Sequence, residues 1–507
     1  MAELRSRSSF IFGAASNWFA FAATLAVSFF LTPYLIGALG TARYDVWCVV
    51  ESILAYFTLL DMGVAACLVR YVAKHHAQDD RLGLNRIASS CLALFLAAGL
   101  VALVLGSVVL MLFAPRLEAK IADAQDVLPF MLIMLANLAF TLPLSVFPSL
   151  LDGLERFGTK SLIRIAALAL RTTGIVVMLN HEGGLLPLAV VYTACNMLEH
   201  GAMLVWSFRY LPGLRFARRF VDRETLHQVR TYSVDAFLAM LAGRISLQTG
   251  AIVIGLMLPA GQVTFFVTAA RLIDYAKTLL RQITTTLTPG IAAREARGDM
   301  PGVRMLFLKA TRWVLYIVLP VHVGLFFFGK AFLARWVGPS FIEGSYPALL
   351  ILSATLTLGV AQSVASRILY GLGRLRFFAR LALVDAALNI ILLFALIQTW
   401  GVAGVAVAIA VPNVLFCIVV IVYVGRMLNV NLLEYLREWL RPVMAVLVPI
   451  GVWLMLGEPA ANWWEIFSSG IIGMLAYGLT VAVWEFGLPR LLKPRQTYVC
   501  RSYGAIQ

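Results

Sequence analysis

Charged residues are scarce in this sequence. Asp, Glu, Lys and Arg make up 13% of the 507 residues, about half the share found in a typical soluble domain. The apolar residues form long blocks, such as residues 24–39 and 92–114. Each block approaches the roughly 20 residues that a helix needs to cross a bilayer core. The period-two alternation of an outer-membrane barrel is missing. The sequence therefore predicts an all-α polytopic membrane protein.

Catalytic and metal-binding motifs are also missing. The sequence has no G-x-x-x-x-G-K-[ST] phosphate loop, no H-E-x-x-H and no G-x-S-x-G. Its six cysteines are scattered singly, without a CxxC pair or Cys/His spacing. The loops are too short for a soluble catalytic domain, and no long external loop favours an intramembrane glycosyltransferase. We expect no cofactor, no metal and no enzymatic activity.

The net charge of +15 raises the question of a nucleic-acid partner, which the placement of the charges argues against. Lysines and arginines cluster in alternate loops, most densely in residues 209–230 and 294–312. This is the pattern of the positive-inside rule, and basic helices interleaved with aromatics are missing. We expect no nucleic-acid partner. The pattern predicts a multi-pass protein of the inner-membrane type with both termini cytoplasmic.

The apolar blocks predict fourteen membrane crossings in two repeated halves. Leu151-Asp-Gly-Leu-Glu-Arg156 matches Leu369-Tyr-Gly-Leu-Gly-Arg374 at an offset of 218 residues. Six crossings per half make this a parallel repeat about an axis along the membrane normal. We predict an N-terminal lobe (1–226), a C-terminal lobe (227–426) and two extra helices with a cytoplasmic tail (427–507). The predicted crossings are residues 10–36, 45–72, 87–113, 127–150, 161–180, 185–207, 231–257, 262–290, 305–328, 346–370, 378–399, 401–425, 440–456 and 464–486.

Ionisable residues inside the membrane are costly and usually functional, and the eighth crossing has the most. Its four charged residues fall within about a third of the helix circumference at 100° per residue. Because lipid contact is expensive for such a stripe, we expect it to face a cavity or partner helices. The four residues are Arg271, Asp274, Lys277 and Arg281.

The second crossing carries acids where the eighth carries bases. Under the repeat, Glu51 aligns with Arg271, and Asp61 aligns with Arg281. These acids, together with Asp274, are candidates for structural ion pairs, for a closing latch between the lobes or for a site that binds a coupling proton or sodium ion. For Asp61 we prefer the latch, in which it pairs with one of the two arginines.

Two further arginines, Arg171 and Arg244, lie near the middle of the predicted fifth and seventh crossings. A cavity that holds both of them with Arg271, Lys277 and Arg281 attracts anions. Arginine suits bidentate contacts with phosphate oxygens. We therefore expect an anionic or phosphorylated substrate.

Several stretches resemble a known family. They are Pro33-Tyr-Leu-Ile-Gly37, Leu60-Asp61-Met-Gly63, Ala269-Ala-Arg271-Leu-Ile and Gly401-Val-Ala-Gly404. Over about residues 8–426, the chain resembles the polysaccharide (Wzx-type, oligosaccharidyl-lipid) flippases of the multidrug/oligosaccharidyl-lipid/polysaccharide exporter superfamily. The resemblance implies a V-shaped pair of lobes and alternating access.

The resemblance also implies a substrate, a polyprenyl-diphosphate-linked oligosaccharide. It would be moved from the cytoplasmic to the periplasmic leaflet for the assembly of O-antigen, capsule or exopolysaccharide. The implied partners are this lipid-linked substrate and the bilayer, with a polysaccharide polymerase and chain-length proteins as further candidates. Two alternatives stay open: a cation-coupled multidrug exporter of the same superfamily, and a non-transporting scaffold of a polysaccharide-synthesis complex.

Overall fold

The computed structural model describes residues 2–121, 124–181, 183–222, 234–285, 287–457 and 462–487, and helices are the regular structure in these ranges. The prediction of an all-α fold is confirmed. The helices are α1 (Ala2–Phe57), α2 (Val64–Ala77), α3 (Arg81–Glu118), α4 (Val127–Leu144), α5 (Val146–Gly153), α6 (Phe157–His181), α7 (Leu185–Tyr210), α8 (Val234–Met257), α9 (Gln262–Thr285), α10 (Leu287–Ala296), α11 (Met300–Trp336), α12 (Phe341–Gly371), α13 (Leu375–Met427), α14 (Leu432–Leu456) and α15 (Trp463–Ala482).

Within the described residues, eleven helical segments are long and apolar enough to cross a membrane. Two of them, with 43 and 52 residues, are too long for one crossing, because about 20 residues span the bilayer core. Helix α9 has the necessary length, at 24 residues, but carries the charged stripe. Dividing the two long segments and adding α9 gives the fourteen predicted crossings.

Glycines divide the two long segments. Gly40 in α1 has φ 73° and ψ 163°, and Gly401 in α13 has φ 54° and ψ −131°. Positive φ is unfavourable for residues with a Cβ, so glycine permits these breaks. The second crossing is interrupted again at Thr58–Asp61, a 3₁₀ turn that is followed by left-handed Met62 and Gly63.

The two lobes share a core at one end of the molecule and have separate cores at the other. At the first end, which we call the joined end, one buried apolar cluster includes Trp47 of α1, Phe130 of α4, Phe266 of α9 and Trp336 of α11. At the opposite end, the split end, one cluster draws on residues 64–214 and a separate one on residues 291–477. Lobes that meet at one end and part at the other form the V-shaped pair.

Helices α14 and α15 are attached to the second lobe. Arg304 of α11 contacts Glu434 of α14 at 2.6 Å, and Arg312 contacts Glu438 at 2.5 Å. The predicted boundary at residue 426 falls at the end of α13, and the boundary at residues 226–227 lies outside the described residues. The three-part division of the chain stays a prediction.

Candidate functional site

A cavity of about 520 Å³ lies between the lobes, with walls from α1, α6 and α7 of the first lobe and α8 and α9 of the second. Its described lining holds three arginines and two carboxylates, so positive charge is in excess. All five were predicted as site residues from the sequence. They are Glu51, Arg171, Arg244, Arg271 and Asp274.

Arg271 crosses from one lobe to the other. Its Nη2 lies 3.2 Å from Glu51 Oε2, and its Nη1 donates to the hydroxyl of Tyr44 at 2.7 Å and to that of Thr32 at 3.3 Å. All three partners belong to α1. The side chain of Glu51 is 50% exposed and that of Arg271 is 26% exposed, so water reaches this ion pair from the cavity. The repeat alignment of Glu51 with Arg271 therefore corresponds to a direct contact between the lobes.

Arg171 and Arg244 make fewer polar contacts with described residues than Arg271 does. The guanidinium of Arg171 lies over the ring of Tyr192, with its carbon 5.1 Å from the ring centroid. This cation–π contact uses the face of the guanidinium, and its in-plane N–H donors have no hydrogen bond to a described residue. Among the described residues, Arg244 has no hydrogen bond or ion pair. One arginine on each lobe thus presents donors to the cavity.

The predicted stripe on α9 does not stay on one wall. Arg271 and Asp274 line the cavity, whereas Lys277 Nζ donates to Thr355 Oγ1 of α12 at 2.7 Å, inside the second lobe. Helical periodicity placed the residues on one face, but this hydroxyl lies within reach of the lysine and binds its ammonium group. The side chain of Arg281 lies outside the described part of the chain.

Asp61 is not the acid that meets Arg271. Its Oδ1 accepts the backbone N–H of Ala65 at 2.9 Å, just after the break at Met62 and Gly63. A carboxylate at the start of a helix satisfies an N–H group that has no intrahelical partner. In this structure Glu51, and not Asp61, pairs with Arg271. The latch predicted for Asp61 stays a prediction, because the side chain of its other candidate partner, Arg281, lies outside the described part of the chain.

Asp45 was not predicted as a site residue from the sequence, yet it connects the lobes at the joined end. Its carboxylate accepts the backbone N–H groups of Gly261 and Thr264, both at 2.6 Å, and the hydroxyl of Thr264 at 2.5 Å. Asp45 is only 6% exposed. It caps the N-terminus of α9 from the other lobe, where the helix dipole favours a negative charge.

Lys120, also from the first lobe, caps the neighbouring helix end, the C-terminus of α8. Its Nζ donates to the backbone carbonyl of Gly255 at 2.5 Å and to that of Leu258. These carbonyls belong to the end of α8, where the helix dipole favours a cation. Burial lowers the pKa of this ammonium group. Lys120 and Asp45 thus hold the turn between α8 and α9 from the first lobe, each with the charge that its helix end favours.

The sequence profile of a family described as polysaccharide biosynthesis protein matches residues 14–293, more than half of the chain. The chain belongs to this family. The matched region contains every residue named above for the cavity and all those of the joined-end caps. A curated relative of this chain, the probable low-salt glycan biosynthesis flippase Agl15 of Haloferax volcanii, is 22% identical to it over 207 residues. That match covers 41% of this chain and 43% of the relative.

Solved structures agree on the fold. The lipid II flippase MurJ in an inward closed conformation aligns with a TM-score of 0.73 at 14% identity, covering 95% of this chain and 100% of that one. An inward-facing multidrug resistance MATE transporter of the MOP superfamily gives 0.68 at 15% identity, covering 83% and 98%. A MOP superfamily transporter from Pyrococcus furiosus, described by the reverse polarity of its binding pocket, gives 0.59 at 15% identity, covering 83% and 95%. The family match confirms the predicted resemblance to polysaccharide biosynthesis proteins, and these structures confirm the predicted fold.

Proposed function

We propose that the chain is a flippase that moves a polyprenyl-diphosphate-linked oligosaccharide from the cytoplasmic to the periplasmic leaflet by alternating access. Its membership of a polysaccharide biosynthesis family supports a glycan cargo, as does the similarity to a protein named as a glycan biosynthesis flippase. The fold of membrane transporters supports the movement. We place the chain in a bacterial inner membrane with both termini cytoplasmic, which puts the joined end at the periplasmic side.

The observation that carries the proposal is the pair of arginines on opposite walls of the cavity. Arg171 comes from the first lobe and Arg244 from the second, and neither has a carboxylate partner among the described side chains. A diphosphate offers several oxygens that two guanidinium forks can bind bidentately. One ligand would then bridge both lobes and favour their approach around it.

The remaining predicted residues take secondary roles in the proposal. Arg271 and Glu51 form the contact between the lobes, and an anion that binds Arg271 must compete with Glu51. Asp61 and Asp274 remain candidates for binding a coupling ion. Lys277 and Arg281 remain candidates for contacting the substrate in a conformation other than this one.

A cation-coupled multidrug exporter is the second candidate, because MATE transporters share the fold. Glu51 and Asp274 in the cavity wall give it two acids that could attract an organic cation. The three arginines of the same lining oppose this candidate, since they repel a cation.

Transport by the full-length chain in liposomes tests the two candidates against each other. We expect uptake of a fluorescent polyprenyl-diphosphate disaccharide into the opposite leaflet and no transport of ethidium. Arg171→Gln and Arg244→Gln should each slow flipping about tenfold, the usual effect of losing one charge-assisted hydrogen bond. Arg335→Gln, at the far end of α11 and outside the cavity, is the matched control. Ethidium transport without flipping would replace the first candidate with the second.

A further inference from the structure

The residues that follow α7 form a segment that is fixed to α3. We call residues 211–222 the basic segment. The side-chain amide of Asn85 donates to the backbone carbonyl of Gly213 at 3.2 Å and accepts the backbone N–H of Arg215 at 2.9 Å. The hydroxyl of Ser90 accepts the backbone N–H of the last residue of the segment at 3.3 Å. Asn85 is 6% exposed and Ser90 is fully buried, so α3 holds the segment near both of its ends.

The side chains of the basic segment divide into an inner and an outer set. Leu211 and Leu214 are buried in the apolar cluster of the first lobe at the split end. The ring of Phe216 packs edge-on against that of Phe147 in α5, with centroids 6.0 Å apart. The arginines of the segment are exposed; they are Arg215, Arg218 and Arg219. Their backbone is therefore held in place, while their charged groups face the surroundings.

Three more exposed arginines lie beside the segment. Arg81 Nη1 lies 3.6 Å from the position that a Cβ on Gly213 would take. The guanidinium groups of Arg156 and Arg209 lie over aromatic rings at the C-terminal end of α7, with their carbons 4.6 and 5.3 Å from the ring centroids. We call the exposed arginines of both sets the basic surface, which consists of Arg81, Arg156, Arg209, Arg215, Arg218 and Arg219.

The charges of the basic surface are not neutralised within the described part of the chain. None of its six arginines forms an ion pair with another described residue. They outnumber the carboxylates next to them in the sequence, which are Asp79, Asp80, Glu155 and Asp222. Asp80 is bonded instead to the N–H of Gly83 and to His75. The basic surface is therefore suited to an anion from outside the chain.

The place of the basic surface along the membrane favours a lipid headgroup as this anion. Arg81 precedes the predicted third crossing and Arg209 follows the predicted sixth, so both lie at the level of the membrane surface. Aromatic rings such as those beneath the arginines are typical of that level. Leu82 and Phe208 are 62% and 40% exposed and place apolar groups beside the charges. A lipid covers these groups with its acyl region, whereas an acidic protein in solution leaves them in water.

We propose that the basic surface binds the headgroup of an anionic phospholipid in the leaflet at the split end, with guanidinium groups on the phosphate oxygens. The basic segment begins the connection from α7 to α8, and thus from the first lobe to the second. A lipid bound there stabilises the packing of this connection against the first lobe. The lipid is a component of the membrane and not the cargo. The inference goes beyond the proposed function and needs neither the cargo nor the direction of transport.

Fluorescence quenching of the full-length chain in lipid nanodiscs tests the proposal. A fluorophore is attached at Leu82→Cys, an exposed position beside Arg81. The described native cysteines are buried, and Cys500→Ser removes the remaining thiol. Phosphatidylglycerol and phosphatidylcholine are compared as quenchers, each with a nitroxide on an acyl chain close to the headgroup. The ratio of their quenching affinities measures the preference of the site for an anionic lipid.

We expect phosphatidylglycerol to be preferred about fivefold or more, the usual effect of a basic residue near a membrane surface. Changing the three arginines of the basic segment to Gln together should lower this preference to about twofold or less. The matched control loses the same charge from exposed arginines of the second lobe and should keep the full preference. It changes Arg297, Arg426 and Arg437 to Gln.

Asn85→Leu tests whether the fixed position of the segment matters. This variant keeps all six arginines of the basic surface but loses both hydrogen bonds to the segment, so the preference should fall about twofold or more. An unchanged preference would show that charge alone attracts the lipid and would overturn the fixed site. If Asn85→Leu does not yield folded protein, the two triple variants decide, because their changed side chains are exposed.

Equal quenching by the two lipids in the chain that keeps all its arginines would overturn the proposal and leave an acidic protein as the partner of this surface. Equal losses in the two triple variants would overturn it as well, because the preference would then follow the overall charge. Relief of quenching by soluble glycerol phosphate at the concentration of the lipid would show that phosphate alone is bound. The experiment contains no cargo, so a failure of glycan transport would count against the proposed function only.

Discussion

The joined end and the central cavity both carry charged groups between the lobes, but these groups differ in their exposure to water and in their bonding partners. Asp45 at the joined end is 6% exposed and its oxygens are bonded to helix-end N–H groups. Glu51 in the cavity has a side chain that is 50% exposed and a single described ion pair. A buried charge that is fully bonded fixes one conformation. A half-exposed charge with open bonding positions remains available to a ligand, so the first region holds the lobes together and the second is the region where we propose that the substrate binds.

The largest effect should come from breaking the close packing of the joined end. A Cβ on Gly255 of α8 would lie 2.3 Å from Cγ2 of Val49 in α1. Gly255→Val should therefore force the lobes apart, at a cost of about 3 kcal/mol, the upper part of the usual range for overpacking. Thermal unfolding of the purified chain measures this loss. Gly243→Val is the control on the same helix, because a Cβ there meets nothing within 4 Å.

A smaller loss should follow from changing the charge of the cap alone. Asp45→Asn keeps the shape of the side chain but turns an amide donor toward N–H donors at the start of α9. We expect the joined conformation to lose about 2 kcal/mol, the usual worth of hydrogen bonds to a charged group. Distances between spin labels at Arg116 and Ser340 measure the change. An unchanged distribution would show that Asp45 does not hold the joined end.

In the cavity, the corresponding change should alter binding more than stability. Glu51→Gln removes the acid that competes for Arg271, so diphosphate should bind about threefold more tightly, consistent with the small energies of exposed ion pairs. The melting temperature should change little. Titration calorimetry with inorganic diphosphate measures the affinity. A large loss of stability in this variant would mean that Glu51 acts like Asp45, and the contrast between the two regions would disappear.

The smallest effect concerns the split end, where Asp80 caps α3. Its carboxylate accepts the N–H of Gly83 at 2.9 Å. That hydrogen bond first, and the contact with His75 second, hold the pKa of Asp80 below its usual value. A lowered pKa means that this carboxylate stabilises the fold above its unfolded pKa of about 3.9 and stops doing so as pH falls through the lower folded value.

Asp80→Ala should therefore lower the melting temperature slightly at pH 7, and the difference from the unchanged chain should vanish only below about pH 4. Melting curves across this range measure it. Inter-lobe distances at the joined end should stay the same in this variant. A response at the joined end would show that the two ends are not independent.

Much of the fold follows from the sequence, because apolar blocks and alternating basic loops report directly on membrane crossings. The predicted boundaries at residues 36–45 and 399–401 match the breaks at Gly40 and Gly401. The interruption at Thr58–Asp61 falls inside the predicted crossing 45–72 and was missed, since a 3₁₀ turn depends on local φ and ψ.

The cavity residues were predictable only in part. Charges inside apolar segments stand out, and Arg171, Arg244 and Arg271 do line one cavity. Lys277 does not line the cavity. Helical periodicity predicts the face on which a residue lies, but it does not predict that the hydroxyl of Thr355 on a neighbouring helix binds the lysine. Asp45 and Lys120 were missed because their partners are backbone groups at helix ends, which leave no side-chain pattern in the sequence.

The central claim is that Arg171 and Arg244 bind one diphosphate between the two lobes. Titration of inorganic diphosphate into the full-length chain, with each arginine changed to Gln and with both changed, tests it most directly. If one ligand bridges the lobes, each single change should weaken binding about tenfold. The double change should then cost less than the product of the two, because the bridge is already lost. Full affinity in both single variants would contradict the claim.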